Sequence, residues 1–283
     1  MSSAFDYHRA ASVDDAVAQL GRHGDAKLLA GGHSLIPSMK LRLASPGALI
    51  DIGHLGELNY VREQGGVVAI GAATTHHTIA SSDLVARQAP LLAQAAAVIG
   101  DVQVRNVGTI GGSLAHADPA ADYPAAVLAA EAQVVARGPG GERVIDAGDF
   151  FVDLFLTSLQ ADEIITEVRV PVAAAGTGAC YLKFPHPASR FAVVGCAAVV
   201  ASSGGTCGDV RVAFTGVANA AFRDGAVEAA LRGRSASADA IAAAAAVAAQ
   251  DAEVLSDAFA GAEYRRHLAT VYAAKALSKA SGV

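Results

Sequence analysis

Residues 28–35 read Leu28-Leu29-Ala30-Gly31-Gly32-His33-Ser34-Leu35 and have the form of a loop that cradles a phosphate. The apolar pair looks like the end of a buried strand, two glycines follow, and a short helical run is expected from Ser34 through Pro37 to Leu41. Adjacent glycines let the backbone turn with positive φ and bring bare N–H groups up to an anion. A helix starting just beyond them adds its positive end. Taken alone, the segment fits an ordinary strand–turn–helix corner better. A second segment shifts the balance: Gly108-Thr109-Ile110-Gly111-Gly112-Ser113 repeats the theme of an apolar residue, two glycines and a hydroxyl. Two such segments suit an elongated ligand with a diphosphate in its middle. Neither is a standard nucleotide signature, because no Gly-x-Gly-x-x-Gly opens a helix and no phosphate loop ends in Gly-Lys-Ser/Thr. Gly176-Thr177-Gly178 follows a proline closely and runs into strand-like sequence, so it is set aside.

Composition narrows the class. The 283 residues suffice for one large domain or two to three smaller ones. Hydrophobic residues make up 53% of the chain, but alanine inflates that share. The longest alanine-rich run, Ile241 to Ala249, is far short of the roughly 20 apolar residues that span a bilayer. Met1 to His8 shows no basic region followed by an apolar core, so no signal peptide is expected and a cytoplasmic location is the default. A net charge of −6 without a basic run argues against nucleic acid. Cys180, Cys196 and Cys207 are spaced too widely for a local metal or iron–sulfur motif and read as buried thiols.

Along the chain, Ser12-Val13-Asp14-Asp15 starts a helix with a hydroxyl cap and early acids, and Lys27–Ala30 is the strand delivering the first glycine segment. A strand at Ala48–Ile52 closes a subdomain at residues 1–53. Next come a hairpin across Gln64-Gly65-Gly66, a short helix at Thr75–Ile79, and a longer one from Asp83 to Ile99 with Pro90 breaking or kinking it. Val104–Val107 leads into the second glycine segment, Tyr123 to Ala130 looks helical, and strands surround Gly138-Pro139-Gly140-Gly141. A last strand at Glu163–Val170 ends a second subdomain at 54–172. Tyr181–Phe184, Ala192–Ala201 and Cys207–Val217 then give three strands, followed by helices near 226–231, 237–249 and 264–278, so residues 177–283 form a separate α+β domain.

Four motifs occur in order: Leu28–Leu35, Gly71-Ala72-Ala73-Thr74-Thr75, Thr109–Ser113 and Asp118-Pro119-Ala120-Ala121-Asp122-Tyr123-Pro124. Together they resemble the FAD-binding medium subunit of the molybdenum hydroxylases, the xanthine dehydrogenase and carbon monoxide dehydrogenase family. The likeness runs through Tyr181-Leu182-Lys183-Phe184 to the alanine-rich end. It implies an α+β fold: a two-subdomain FAD-binding domain of the vanillyl-alcohol-oxidase/PCMH type, then a C-terminal domain with a three-stranded sheet and helices. The resemblance further implies that Leu28, Leu29, Ala30, Gly31, Gly32, His33, Ser34 and Leu35 line the FAD pyrophosphate. Thr109, Ile110, Gly111, Gly112 and Ser113 form the opposing wall, and Ile99 and Ile165 match apolar positions near the cofactor. Asp122 matches an acid contacting the cofactor, with a helix cap before Pro124 as the less favoured reading. Lys183 and Phe191 are implied near the flavin ring, against the plain readings of a surface lysine and a core phenylalanine. Pro185-His186-Pro187 departs from the basic run many relatives carry after the lysine. His33 reads as a structural donor and not as a covalent attachment site. His76-His77 reads as a solvated helix start in preference to a proton relay, and His116, Asp118 and Asp122 only mimic a metal site.

The function this implies is an FAD-carrying electron-transfer subunit with no catalytic residues and no metal of its own. Its expected partners are a large molybdopterin subunit and a small subunit with two [2Fe–2S] clusters, arranged as a dimer of heterotrimers with an external electron acceptor. Ala30–Leu43 and Tyr123 lean toward the carbon monoxide dehydrogenase-like branch, which leaves carbon monoxide, aldehydes, purines and N-heterocycles open as substrates. Two rivals stand beside it. A stand-alone flavin oxidase would need a substrate pocket rich in aromatics, which a chain with no Trp and 5% aromatics supplies poorly. A non-enzymatic assembly module would use the glycine pairs as turns only.

Overall fold

A computed structural model describes residues 3–283; Met1 and Ser2, at the head of the segment read above for a signal peptide, lie outside the described residues. The N-terminal part holds β1 (Asp6–Arg9), α1 (Val13–Arg22), β2 (Lys27–Leu29), α2 (Leu35–Lys40) and β3 (Ala48–Asp51). Its parallel sheet has the order β1-β3-β2. Ser12 caps α1 by accepting the Asp15 N–H at 3.1 Å, and Ala16, Val17 and Leu20 lay one apolar stripe into the cluster around Ile50. Strand β1, too polar to read as a strand from sequence, forms because the buried β3 offers it a free edge.

The second part runs β4 (Val61–Gln64), β5 (Val67–Gly71), α3 (His76–Ala80), α4 (Asp83–Gln88), α5 (Pro90–Val98), α6 (Val102–Val107), α7 (Ile110–His116), α8 (Asp122–Ala129), β6 (Gln133–Gly138), β7 (Gly141–Asp146), β8 (Phe151–Asp153), β9 (Leu156–Thr157) and β10 (Ile164–Pro171). Five of its strands form an antiparallel sheet ordered β4-β5-β10-β6-β7, and β8 and β9 make a separate small hairpin. Gly65 and Gly66, at φ +60° and +81°, give the β4–β5 connection the twist that a two-residue hairpin needs. Pro90 does break the expected long helix. It opens α5 at a position where its missing N–H costs nothing.

One helix goes beyond the sequence reading, and one expectation needs correction. Val102–Val107 is helical, with Asp101 capping it by accepting the Val104 N–H at 2.9 Å. Gly111 and Gly112 lie in the first turn of α7, not in an open loop. Thr109 caps that turn by accepting the Gly112 N–H at 3.3 Å.

The third part has β11 (Thr177–Pro185), β12 (Ala192–Ser203), β13 (Thr206–Thr215), β14 (Phe222–Arg223), α9 (Gly225–Leu231), α10 (Ala238–Ala245) and α11 (Ala262–Ser281). The three long strands expected from sequence form the antiparallel sheet, with the two-residue β14 added at the edge of β13. Both faces of this sheet are covered. Cys196, Ala198, Val200, Val212 and Phe214 face α10 and α11, while Tyr181, Ala197, Val199 and Ala213 join the core of the second part. This explains why every residue from Ala192 to Val200 is buried and why the run shows no polar alternation. Among the described residues no helix is long and apolar enough to cross a membrane.

Helix α11 sits against β11 backbone to backbone. A Cβ at Gly178 would lie 1.8 Å from the Ala280 carbonyl oxygen. Gly178→Ala is expected to lower stability by about 1–3 kcal/mol, as overpacking between two rigid backbones does. Gly140→Ala, with nothing near its Cβ position, should stay within about 0.5 kcal/mol of wild type. Guanidinium unfolding of both variants checks the contrast.

Candidate functional site

The first glycine segment leaves β2 and meets the corner between α6 and α7 at very short range. A Cβ on Gly31 would stand 2.1 Å from the Val107 carbonyl oxygen and 2.9 Å from Gly108 Cα. Only glycine permits that approach. Gly32 follows at φ +71° and turns the chain into α2, with the Ile36 N–H donating to the Gly32 carbonyl at 3.0 Å. Among the described residues, the backbone N–H groups of Gly31, Gly32, His33 and Ser34 find no acceptor. Four consecutive free amides on a half-buried loop are the donor set that an anion needs.

The opposing segment is built differently from the first. The Gly111 N–H donates to the Ala72 carbonyl at 2.9 Å, Ile110 to Thr74 at 3.1 Å, and His76 to Gly108 at 3.0 Å. The motif Gly71–Thr75 is therefore a strap that holds this segment, and the amides of Ile110 and Gly111 are consumed by it. What remains toward the cleft is the Thr109 N–H, with the hydroxyls of Thr109 and Ser113. The two glycines also have separate reasons. A Cβ on Gly111 would sit 2.6 Å from Ala72 Cβ, inside the protein, whereas Gly112 is exposed and borders the cleft.

Between the two segments lies a cleft of about 530 Å³. Leu28 through Leu35, Thr109, Gly111, Gly112, Ser113 and Ile165 all line it. Ile110 does not; it opens α7 with its side chain fully buried in the core. The far wall comes from residues 155–165, where Phe155 at φ +53° sets its ring 5.1 Å from that of His116. Glu163 on that wall is held by Arg143 at 2.6 and 2.8 Å, which keeps its carboxyl below the ordinary value. A larger cleft of about 660 Å³ lies on the open face of the five-stranded sheet. Its charges, among them Arg62, Arg169 and Glu167, are bonded to each other, and no glycine segment reaches it.

Ile99, Asp122, Lys183 and Phe191 do not line the cleft; they gather around one ammonium group. Lys183 Nζ donates to the Val98 carbonyl at 2.7 Å, the Arg190 carbonyl at 2.8 Å and Asp122 Oδ2 at 2.9 Å. All three of its protons are thereby used. Asp122 also accepts from the Tyr181 hydroxyl at 2.6 Å, and both members of the ion pair are 5% exposed. Lys183 is thus no surface lysine, and Asp122 is no helix cap: its carboxylate is spoken for by the C-terminal domain. Burial pushes the Asp122 carboxyl up, and the lysine charge with the Tyr181 and Lys183 hydrogen bonds pulls it back. Phe191, beside the Arg190 carbonyl, is 40% exposed and is not a core side chain. The three residues resembling a metal site diverge. His116 packs its ring at a tilt against Phe155, Asp118 accepts the Ala120 N–H, and Asp122 turns to Lys183.

Sequence reasoning missed two residues. His77 is exposed as a solvated helix start should be, but His76 is 95% buried and borders the cleft. Its position next to the Thr74-Thr75 strap was the available signal. Tyr181 carried no polar signal in an apolar strand, and only the folded sheet brings it to Asp122.

Comparison with known proteins agrees along the whole chain. Residues 3–173 match the family model of the FAD binding domain in molybdopterin dehydrogenase, and residues 179–280 that of the CO dehydrogenase flavoprotein C-terminal domain. The chain is 44% identical over 277 residues to the carbon monoxide dehydrogenase medium chain of Hydrogenophaga pseudoflava, covering 98% of this chain and 96% of the relative. It is 38% identical to the nicotine 6-hydroxylase medium subunit of Paenarthrobacter nicotinovorans, covering 94% and 93%. A solved structure of carbon monoxide dehydrogenase from Hydrogenophaga pseudoflava superposes with a TM-score of 0.97 at 46% identity, over 100% of this chain and 99% of that one.

The ion pair between domains makes a testable demand. Lys183→Met should cost about 3–5 kcal/mol at pH 7, because it strands a buried carboxylate. Asp122 has a raised pKa in the folded chain, so the charged form is what folding disfavours, and the penalty must shrink as pH falls toward the ordinary carboxyl range. Denaturant unfolding between pH 7 and pH 5 checks this, and adding Asp122→Asn to Lys183→Met should recover part of the loss at pH 7.

Proposed function

Because the chain belongs to the family of FAD-binding medium subunits of molybdenum hydroxylases, we propose that it is the FAD-carrying electron-transfer subunit of such a complex. The observation that carries this reading is the row of free amides at Gly31–Ser34, facing the hydroxyls of Thr109 and Ser113 across the cleft. That donor set fits a diphosphate, and the glycine contact leaves room for no side chain where the two backbones meet. Leu28, Leu29, Ala30, Leu35 and Ile165 pack along the cofactor, and His33 adds a donor from the loop. The ring end lies toward Ile99 and Phe191. Lys183 and Asp122 hold the chain on either side of it: the lysine fixes the Val98 and Arg190 carbonyls, and with them the two residues that follow. Bound there, FAD supplies the exchange between two-electron and one-electron transfer.

The same reading gives the chain its partners: a large subunit with the molybdopterin cofactor, a small subunit with two [2Fe–2S] clusters, and an external electron acceptor, in a dimer of heterotrimers in the cytoplasm. Cys180, Cys196 and Cys207 are buried free thiols, which supports clusters carried by another polypeptide. Residues 1–53, 54–172 and 177–283 are the corresponding units, and each of the main sheets falls within one of them.

A visible spectrum of the purified protein, followed by identification of the acid-released chromophore, tests the assignment. A flavin spectrum with FAD in the supernatant is expected; a colourless protein that refuses added FAD overturns it. Adjacent glycines sharpen the test. Gly112→Val, whose Cβ would stand 2.9 Å from the capping Thr109 hydroxyl at the edge of the cleft, should weaken FAD binding by about tenfold or more. Gly111→Val, which drives into Ala72, should instead destabilise the fold by about 1–3 kcal/mol or more.

A further inference from the structure

His76 opens α3 and is stitched to the second glycine segment by its own backbone, whose N–H donates to the Gly108 carbonyl at 3.0 Å. Its ring lies against the same glycine: a Cβ on Gly108 would be 2.6 Å from His76 Nε2. Gly108 in turn touches Gly31, so the imidazole stands directly behind the point where the two segments meet. The ring's two nitrogens have different surroundings. Nδ1 is enclosed and without a partner, in a cluster where the ring packs 5.3 Å from that of the fully buried Tyr123. Among the described residues Nε2 makes no hydrogen bond, and it is the nitrogen left open to the cleft that His76 lines.

We propose that His76 is a neutral hydrogen-bond donor, through Nε2–H, to the phosphate oxygens held between the two glycine segments. An enclosed N–H without an acceptor is rarer and costlier than an enclosed lone pair, which puts the single proton on Nε2. A second proton would have to sit on the enclosed Nδ1. The groups facing the ring oppose it too: burial first, then His33 from the first loop and Arg105 from α6, lower the His76 pKa to about 4. The donor is therefore present and uncharged throughout the neutral range. This assignment rests on the FAD reading above and adds a side chain to a cradle otherwise made of backbone and hydroxyls.

The test compares His76→Leu with His76→Gln, which keeps an N–H donor, in the purified full chain or the complex it purifies in. FAD affinity is measured by titration, and the diphosphate of bound FAD is observed by ³¹P NMR. His76→Leu should weaken FAD by about tenfold or more, the loss of one hydrogen bond to a charged group, and should move the ³¹P resonances. His76→Gln should recover most of the affinity. The ratio of wild-type to His76→Leu affinity should stay level from pH 6 to pH 8; a ratio that grows as pH falls would mean a cationic contact and overturn the neutral donor. Wild-type affinity in both variants would overturn the contact itself. Equal losses in both variants with unmoved ³¹P resonances would make His76 a packing residue only. Wild-type protein that binds no FAD would instead defeat the reading on which the proposal stands.

Discussion

The contact between Gly31 and the Val107–Gly108 backbone is the constraint that shapes the site. Two peptide backbones, one from the loop after β2 and one from the α6–α7 corner, approach until no Cβ fits between them. Everything near the cleft is arranged around that approach. The loop after β2 must turn sharply, which Gly32 allows. The α6–α7 corner must be held rigid, which the Ala72–His76 strap does through three backbone hydrogen bonds. A loosely held corner would let the segments part, and the free amides of Gly31–Ser34 would then face solvent and not an enclosed anion.

A second constraint joins the domains. An ion pair buried from water loses more hydration than its attraction returns, unless the remaining donors and acceptors are also satisfied. Around Lys183 and Asp122 they are: two carbonyls complete the ammonium and the Tyr181 hydroxyl completes the carboxylate. The neighbouring motif works in the same direction. The Gly216 N–H donates to the Pro119 carbonyl at 2.6 Å, Ala192 to Ala120 at 3.0 Å, and the Thr215 hydroxyl reaches the Pro119 and Ala121 carbonyls. Asp118–Pro124 is thus first of all a docking seam. Ile99, Asp122, Lys183 and Phe191, which the resemblance associates with the flavin ring, are held by the seam, so on the proposed reading domain docking and the shape of the ring end are one problem.

Much of this was legible in the sequence, because the signals were local. Helix caps at Ser12 and Ser237, the Gly65-Gly66 turn and the break at Pro90 each act within a few residues. The cleft residues on the first loop were legible for the same reason. What escaped was set by distant partners. Two glycines in a row look alike on paper, yet Gly111 answers to Ala72 and Gly112 to the Thr109 cap at the edge of the cleft. α6 is an unremarkable Val-Gln-Val-Arg-Asn-Val run whose helicity depends on a cap at Asp101. His76 and His77 are identical in type and adjacent, but the helix turns one inward and the other to water. Asp122 and Lys183 lie 61 positions apart, and no spacing rule pairs them.

The distribution of charge gives the two regions their division of labour. Among the residues lining the cleft, Lys27 is the one lysine or arginine, and it is solvent-exposed; Glu163 is neutralised by Arg143. On the proposed reading, a diphosphate there would be met by amide dipoles, hydroxyls and the neutral imidazole of His76, groups fixed in place before anything binds. Fixed dipoles need no counter-ion and stay where the backbone puts them. The buried cation is kept for the domain seam, where its partner is a carboxylate of the same chain. If Lys183 were free to reach into the cleft, Asp122 would be left charged and buried, and the domains would lose the contact that aligns them. The lysine therefore acts by holding two carbonyls and an acid, and it keeps no free proton to offer a ligand.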